Sequence, residues 1–351
     1  GVPVTEDVAG PFRTVELHTG GEPVRIVVDG LPPIPGGTIL EKRRYARTHL
    51  DHLRRALMAE PRGHADMYGV WPVAPDLPDV DLAVLFTHNE GFSTMCGHAT
   101  IALGRWAVEE GLVAVPAPGS DGVSRAPVRL QAPCGRIEVE VDVVAGRVGD
   151  VRFRSVPAFA AALDVPLEVE GVGAVTVDVG YGGAFYALVD AGALGVELGA
   201  TPLRTVVDRA TAVTRAAADV ALTHPDSADL AFLYGTIVRD VGDDRAPEDS
   251  RNVCVFADRQ VDRSPTGSGV TARTAVRHAR GAVAAGEVRR FTSLTGAVFT
   301  ARVVAEHAPG AHAPTGVPSV VVEVGGRAHR SGTAEFVLEP DDPLREGFLL
   351  R

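Results

Sequence analysis

The sequence predicts a mixed α/β (α+β) chain made of two related lobes, and three observations carry that prediction. Short segments rich in β-branched residues alternate with glycine-rich turns through most of the 351 residues. Helical patterning interrupts them in three places. The stretch "STMCGHATIALGRW" (93–106) is also echoed by "VDRSPTGSGVTARTA" (261–275). Cys96 and Thr266 stand 170 residues apart, each followed by a glycine (Gly97, Gly267) and by an alanine at a shared offset (Ala102, Ala272). With a strand–turn–helix layout around both, the echo makes two related halves the expectation.

Taken in order, the strand signals are "TVELHTGGEPVRIVV" (14–28), "VRLQAPCGRIEVEVDVV" (128–144), "VRFRSVPAF" (151–159), "AFYALVD" (184–190), "NVCVFAD" (252–258), "AVFTARVVAE" (297–306) and "SVVVEVGG" (319–326). The first helical stretch, "TILEKRRYARTHLDHLRRALMAE" (38–60), is charged and amphipathic, which predicts one helix on the surface. The other two follow Cys96 and Thr266. Polar or Pro/Gly-rich pieces at 114–127, 240–251 and 308–318 read as surface loops, because strand patterning resumes on both sides.

Composition narrows the function. Apolar residues at 45% and charged ones at 23% are the balance of a globular chain. Asp and Glu outnumber Lys and Arg by 45 to 34, giving a formal charge of −11; phosphate contacts need a basic face, so a nucleic-acid partner is not expected. No run approaches the roughly 18 apolar residues of a membrane helix, so no membrane partner is expected either. Three cysteines, none in a CxxC pair, fit free thiols in a reducing compartment. The opening "GVPVTEDVAGPFRTVEL" lacks the basic-then-apolar layout of a secretory signal, and a cytoplasmic location is the expectation.

Cys96 is the residue most in need of explanation. "GHATIALGRWAVEEG" (97–111) is apolar around most of its circumference, which predicts a buried helix ending at Glu109, Glu110 and Gly111. Cys96 then sits at the helix start, where unpaired N–H groups and the helix dipole favour negative charge. A thiol there ionises more readily than one at its usual pKa of about 8.5. The N–H groups of Gly97 and His98 can hold a carboxylate. The alternative is a buried structural cysteine, since free Cys packs as a small hydrophobe; Cys134 and Cys254, inside strand patterns, are read that way.

"GSGVTA" (267–272) matches the dinucleotide pattern GxGxxG/A, but "DRSP" separates it from the preceding strand and no parallel βαβ run surrounds it. A second anion-holding helix start, with N–H groups from Gly267 and Ser268, is the better reading. Asp262, four residues before Thr266, is either a partner for an ammonium group or a turn residue. His49 and His52 have one-turn spacing but no acidic or cysteine partner, so no metal is expected there. "HTGGEP" (18–23) reads as a tight turn rather than a phosphate loop. No GxSxG elbow, P-loop or HExxH occurs.

"MCGH" (95–98) and "DRSPTGSG" (262–269) together resemble the two catalytic signatures of the proline racemase superfamily. "HTGGEPVRIV", "KRRYARTHLDHLRRALMAEPRGHADMYG", "HNEGFSTMCGHATIALGR", "YGGAFYALVDA" and "GTAEFVLEPDDPLREGFLL" extend the resemblance over nearly the whole chain. It implies two pseudo-symmetric lobes, each a curved, mostly antiparallel sheet around a central helix, as in diaminopimelate epimerase. The first lobe is expected over 1–147 plus 336–351, with Cys96, and the second over 148–335, with Thr266. A homodimer, no cofactor, no metal and a small imino acid as partner are implied as well.

Racemases and epimerases of that superfamily carry a cysteine in each motif. Here the second position is Thr266, whose hydroxyl does not ionise near pH 7 and cannot be the second acid or base. The Cys/Thr pairing resembles the branch that removes water from trans-3-hydroxy-L-proline to give Δ1-pyrroline-2-carboxylate. The resemblance implies that Cys96 takes the α-proton, that the N–H groups of Gly97, His98, Gly267 and Ser268 hold the carboxylate, and that His98 and Asp262 flank the ring nitrogen. In that substrate the hydroxyl and α-hydrogen share a ring face, so protonated Cys96 or a water beside it is the expected proton source for the leaving hydroxyl. Competing readings are a proline or hydroxyproline racemase or 2-epimerase working with one thiol and a water, a non-catalytic imino-acid binding protein, and an isomerase of the diaminopimelate-epimerase or phenazine type.

Overall fold

The computed structural model describes residues 10–350; residues 1–9, part of the stretch read for a secretory signal, and residue 351 lie outside them. The described residues form two compact units. One holds the described residues up to Thr94, His98–Gly149 and the described residues from Arg327 onward, and the other holds Met95–Gly97 and Asp150–Gly326. No helix among the described residues is long and apolar enough to cross a membrane.

The first unit opens with a hairpin, β1 (Phe12–Thr19) and β2 (Glu22–Asp29), turned by Gly20 and Gly21 at φ 62° and 89°. Those angles suit glycine, and the "HTGGEP" segment is the tight turn its composition predicts. Next come α1 (Ile39–His49), α2 (Asp51–Met58), β3 (Tyr68–Val73), β4 (Leu82–His88), the two-residue β5 (Phe92–Ser93), α3 (Gly97–Glu109), β6 (Val123–Ala132) and β7 (Gly135–Val144). β2 and β3 pair in parallel, as do β4 and β6; the other pairings are antiparallel.

The second unit repeats this plan. β8 (Arg147–Arg154) and β9 (Phe159–Val169) lead to a hairpin of β10 (Gly173–Tyr181) and β11 (Phe185–Asp190). Then follow α4 (Leu203–Ala216), β12 (Leu233–Arg239) parallel to β11, β13 (Asp249–Phe256), the two-residue β14 (Gln260–Val261), α5 (Gly267–Ala279), β15 (Arg289–Thr292) parallel to β13, and β16 (Val298–His307). β17 (Ser319–Gly326) pairs with β16 and β8, and an Ala158–Val320 bridge ties it to the start of β9. β18 (Ala328–Phe336) returns to the first unit against β1. Hairpin, helix, parallel strand, antiparallel return, short strand, helix and parallel strand thus occur twice in the same order. The echo continues at the helix ends. Gly111 N–H bonds Val108 O and Leu112 N–H bonds Ala107 O after α3; Gly281 N–H bonds His278 O and Ala282 N–H bonds Arg277 O after α5. Both are glycine-terminated C-caps, again 170 residues apart.

α5 is the centre of the second unit. It packs against β9, β10, β11, β16 and β17, and every residue from Gly267 to Arg277 is buried. Its two valines, Val270 and Val276, each contribute about 1.5–3 kcal/mol by burial. Close seating needs glycine in the β10–β11 turn: a β-carbon on Gly182 would lie 2.2 Å from Ser268 O and 2.6 Å from Ala272 N. The two buried arginines of α5 are matched by Asp243, which takes bonds from Arg273 Nε (3.0 Å) and Arg277 Nε (3.2 Å) and also pairs with Arg239. Burial alone raises the Asp243 pKa, but the arginines together hold it below the usual carboxylate range.

Three expectations change. The 38–60 stretch is two helices, broken at Leu50 (φ −122°, ψ 10°), and it is not simply a surface element. Lys42, Arg43 and Arg54 are buried, because each reaches backbone carbonyls: Lys42 Nζ to Ala74 O (2.7 Å), Arg43 Nη2 to Phe92 O (2.6 Å), and Arg54 Nη1 to His88 O (2.8 Å) and Asn89 O (2.5 Å). Strands β6 and β13 begin inside two of the segments read as loops, at Val123 and Asp249. α4 was not anticipated, although Val206, Ala210 and Val213 give it a helical apolar spacing.

His88 ends β4 with its ring fully packed, Nδ1 accepting the Glu90 N–H at 3.1 Å. Burial, reinforced by Arg54 and Arg43, pushes its pKa down to about 3. Below the usual histidine pKa of about 6.5 the unfolded chain takes up a proton that the folded chain refuses, so stability falls with falling pH. About 2 kcal/mol of the loss between pH 7 and pH 5 is expected to come from His88. Urea unfolding of wild type and of His88→Asn, which keeps an acceptor for Glu90, should show the variant losing less over that interval by about this amount.

Candidate functional site

The sequence motifs meet in the second unit. Gly97 and Gly267, the residues that open α3 and α5, are in backbone contact: a β-carbon on Gly97 would stand 2.1 Å from Gly267 Cα, and one on Gly267 would stand 2.4 Å from Gly97 Cα. No side chain fits at either position. The contact brings together the two segments carrying Cys96 and Thr266, which are 5% exposed each. Along α5 the first intrahelical bond is Val270 N–H to Thr266 O, so the N–H groups of Gly267, Ser268 and Gly269 precede the ladder.

The "DRSPT" segment before α5 is a chain of local hydrogen bonds. Asp262 Oδ1 accepts Ser264 N–H at 2.7 Å, and Asp262 Oδ2 accepts the Thr266 hydroxyl at 2.9 Å. Ser264 Oγ accepts Thr266 N–H at 3.1 Å, and Asn252 Nδ2 of β13 holds Pro265 O at 3.0 Å. Asp262 is therefore a turn residue, and it also fixes the Thr266 side chain. Thr266 has φ 68° and ψ 97°. A β-branched residue at positive φ costs of order 1–3 kcal/mol, so the surrounding bonds hold it in a conformation it would not adopt alone.

Ser268, the second residue of α5, pairs through its hydroxyl with the Tyr186 phenol at 2.6 Å, both fully buried. Tyr186 lies on β11, in the "YGGAFYALVDA" stretch, and motif reading did not single it out.

His98 belongs to the first unit, immediately after Gly97 in the chain. Its surroundings come from the "HTGGEP" hairpin: the Thr19 hydroxyl donates to His98 O at 2.9 Å, and His98 Nε2 lies 3.3 Å from Pro23 O. A carbonyl only accepts, so Nε2 carries the proton and, in the neutral ring, Nδ1 carries the lone pair. The Tyr68 ring meets the imidazole edge-on at 4.9 Å. Thr19, Pro23 and Tyr68 are residues the sequence reading missed; the only hint was the hairpin's place in the resemblance.

The other candidates separate cleanly. Cys134 lies at the β6–β7 turn rather than within a strand, because Gly135 starts β7, and burial pushes its thiol up to about 12, leaving it protonated at neutral pH. Cys254 is buried within β13. His49 and His52 are exposed, and no group of metal-ligating side chains occurs among the described residues.

The family description "Proline racemase" matches residues 14–349. The chain belongs to the proline racemase family. A human relative named trans-3-hydroxy-L-proline dehydratase is 54% identical over 342 residues, covering 97% of this chain and 95% of its own. A Burkholderia multivorans relative named 3-hydroxyproline 2-epimerase is 43% identical, covering 98% and 99%. Among solved structures, a hydroxyproline epimerase from Agrobacterium vitis with bound trans-4-OH-L-proline superposes with a TM-score of 0.87 at 26% identity, covering 97% and 94%.

The Asp262–Thr266 link predicts a stability ranking. Asp262→Ala removes both acceptors of the turn and is expected to cost about 2–4 kcal/mol, since bonds to a charged group are worth about 1.5–3 each. Thr266→Ser keeps the hydroxyl and is expected to stay within about 1 kcal/mol. Urea unfolding of the two variants checks the order.

Proposed function

We propose that this chain is a trans-3-hydroxy-L-proline dehydratase, a hydro-lyase that needs no cofactor and yields Δ1-pyrroline-2-carboxylate. The observation that carries the reading is the hydroxyl of Thr266, bound to Asp262 at the head of α5, where a racemase of this family needs a second thiol. Its proton is committed to a carboxylate, and an alcohol does not ionise near pH 7. Inversion requires a proton delivered to the face opposite the base, and Thr266 has none to deliver. The 54% identity to the human dehydratase over nearly the whole chain supports the same reading.

In this mechanism Cys96, as thiolate, takes the α-proton. The first-turn N–H groups of Gly97, His98, Gly267 and Ser268 hold the substrate carboxylate and the negative charge that spreads onto it. The α-proton and the 3-hydroxyl share a ring face, so the Cys96 thiol, directly or through a water, returns the proton to the departing oxygen. The electron pair left at Cα forms the C2–C3 double bond as the C3–O bond breaks. Water leaves, and the enamine tautomerises to the ring imine. Asp262 keeps acceptor capacity beyond its two local bonds and, with His98, is assigned to the ring nitrogen. General acid–base catalysis of this kind is worth about 10²–10⁴-fold, the remainder coming from oriented donors. Three cysteines with none in a CxxC pair support a cytoplasmic location, and the family resemblance supports a homodimer, as parts of the proposal.

The 2-epimerase relative makes inversion the competing reading. Proton NMR of the purified protein with trans-3-hydroxy-L-proline, L-proline and trans-4-hydroxy-L-proline separates the two: formation of the imine from the first alone supports the dehydratase, and inversion of any of the three without dehydration refutes it. Cys96→Ser is expected to abolish turnover, a loss of at least about 10³-fold, with melting nearly unchanged. Thr266→Cys supplies a proton donor on the second face and is expected to produce C2-inverted hydroxyproline that wild type does not form.

A further inference from the structure

Tyr186 is buried, aligned on the second helix start, and without a role in the mechanism above. Its directly paired neighbours on β10 and β12 are Gly180 and Gly235, so neither pairing partner carries a side chain. α5 covers the sheet at this point: a β-carbon on Gly180 would sit 3.0 Å from Ala272 O. The ring is wedged edge-on against Tyr234, which stacks on Phe256. The phenol therefore has a fixed place, and it ends 2.6 Å from Ser268 Oγ.

Two hydroxyls share this one bond, so either can be its donor, and one proton is left over in each case. When the phenol donates, the spare proton is the Ser268 one, available to a ligand at the helix start that carries the N–H groups of Gly267 and Ser268. Burial, with Cys254, Tyr234 and Cys96 as neighbours, pushes the Tyr186 pKa well above the usual tyrosine value, so the phenol stays a proton-bearing donor at working pH. The same proximity places it within electrostatic reach of the Cys96 thiol.

We infer that Tyr186 is a positioning residue that turns the Ser268 hydroxyl into an additional donor for the substrate carboxylate as negative charge builds on it during α-proton removal. The inference rests on the dehydratase reading, which supplies that charge. A donor whose bond strengthens only as charge develops acts on kcat rather than on KM. In Tyr186→Phe the ring remains but the serine proton is no longer directed.

The test is steady-state kinetics on trans-3-hydroxy-L-proline, with thermal melting, for wild type, Tyr186→Phe, Ser268→Ala, the double variant and Tyr234→Phe. Removal of one oxyanion donor typically costs about 10²–10³-fold, and loss of its orienting partner is expected to cost somewhat less, about 10–100-fold in kcat with KM changed by less than about threefold. Because the two residues act on one donor, the double variant is expected to be no slower than Ser268→Ala alone. Tyr234→Phe, in the same aromatic layer, is expected to stay within about twofold of wild type. A Tyr186→Phe enzyme with wild-type kcat, or single-variant losses that multiply in the double variant, would overturn the inference while leaving the dehydratase reading intact. If Tyr186→Phe does not fold, Ser268→Ala decides: an unchanged kcat overturns the inference. Wild-type protein that does not dehydrate the substrate would overturn the reading and the inference together.

Discussion

The contact of Gly97 with Gly267 is the constraint on which the rest of the site depends. Two backbones this close tolerate no side chain between them, and each glycine is the first residue of a buried helix. The outcome is that the two motif segments meet at their glycines, with Cys96 just ahead of one and Thr266 just ahead of the other. In the proposed mechanism the N–H groups at the helix starts hold the substrate carboxylate. In that mechanism the chemistry depends on which side chain precedes each glycine.

Thr266 shows how much the surroundings contribute. Its backbone is strained, its amide is held by Ser264, its hydroxyl by Asp262, and the preceding carbonyl by Asn252. Those bonds fix the residue, and in the proposed mechanism they remove its proton from use. In the proposed mechanism a carbanion with one functional base beside it either takes its proton back on the same face or expels a neighbouring leaving group. In a substrate bearing a hydroxyl at the adjacent carbon, the second course is loss of water.

Much of this was legible in the sequence, and the reasons differ by residue. The 170-residue echo was visible in Cys96/Thr266, Gly97/Gly267 and Ala102/Ala272 because helix starts and close contacts restrict residue type sharply; the structure extends it to the C-cap glycines Gly111 and Gly281. The buried helix after Cys96 was readable from its uniform apolarity. The split at Leu50 and the burial of Lys42, Arg43 and Arg54 were not, because a charged residue satisfied by distant carbonyls looks in sequence like a solvated one. Tyr186, Thr19 and Tyr68 escaped for a related reason: each meets a motif residue only through a long-range contact, and no local spacing marks it. Asp262 was left between a turn role and a functional one, and its two carboxylate bonds make it a turn residue that also controls Thr266.

The most direct measurement follows the fate of the substrate's own stereocentre. Wild-type protein and trans-3-hydroxy-L-proline are incubated in D₂O, and the unreacted pool is resolved by chiral chromatography and deuterium content during partial conversion. With one functional base, the remaining substrate keeps its C2 configuration, with or without deuterium, while the imine accumulates. Deuterated C2-epimer appearing alongside the product would mean that a proton reaches the Thr266 face, and would contradict the single-thiol mechanism.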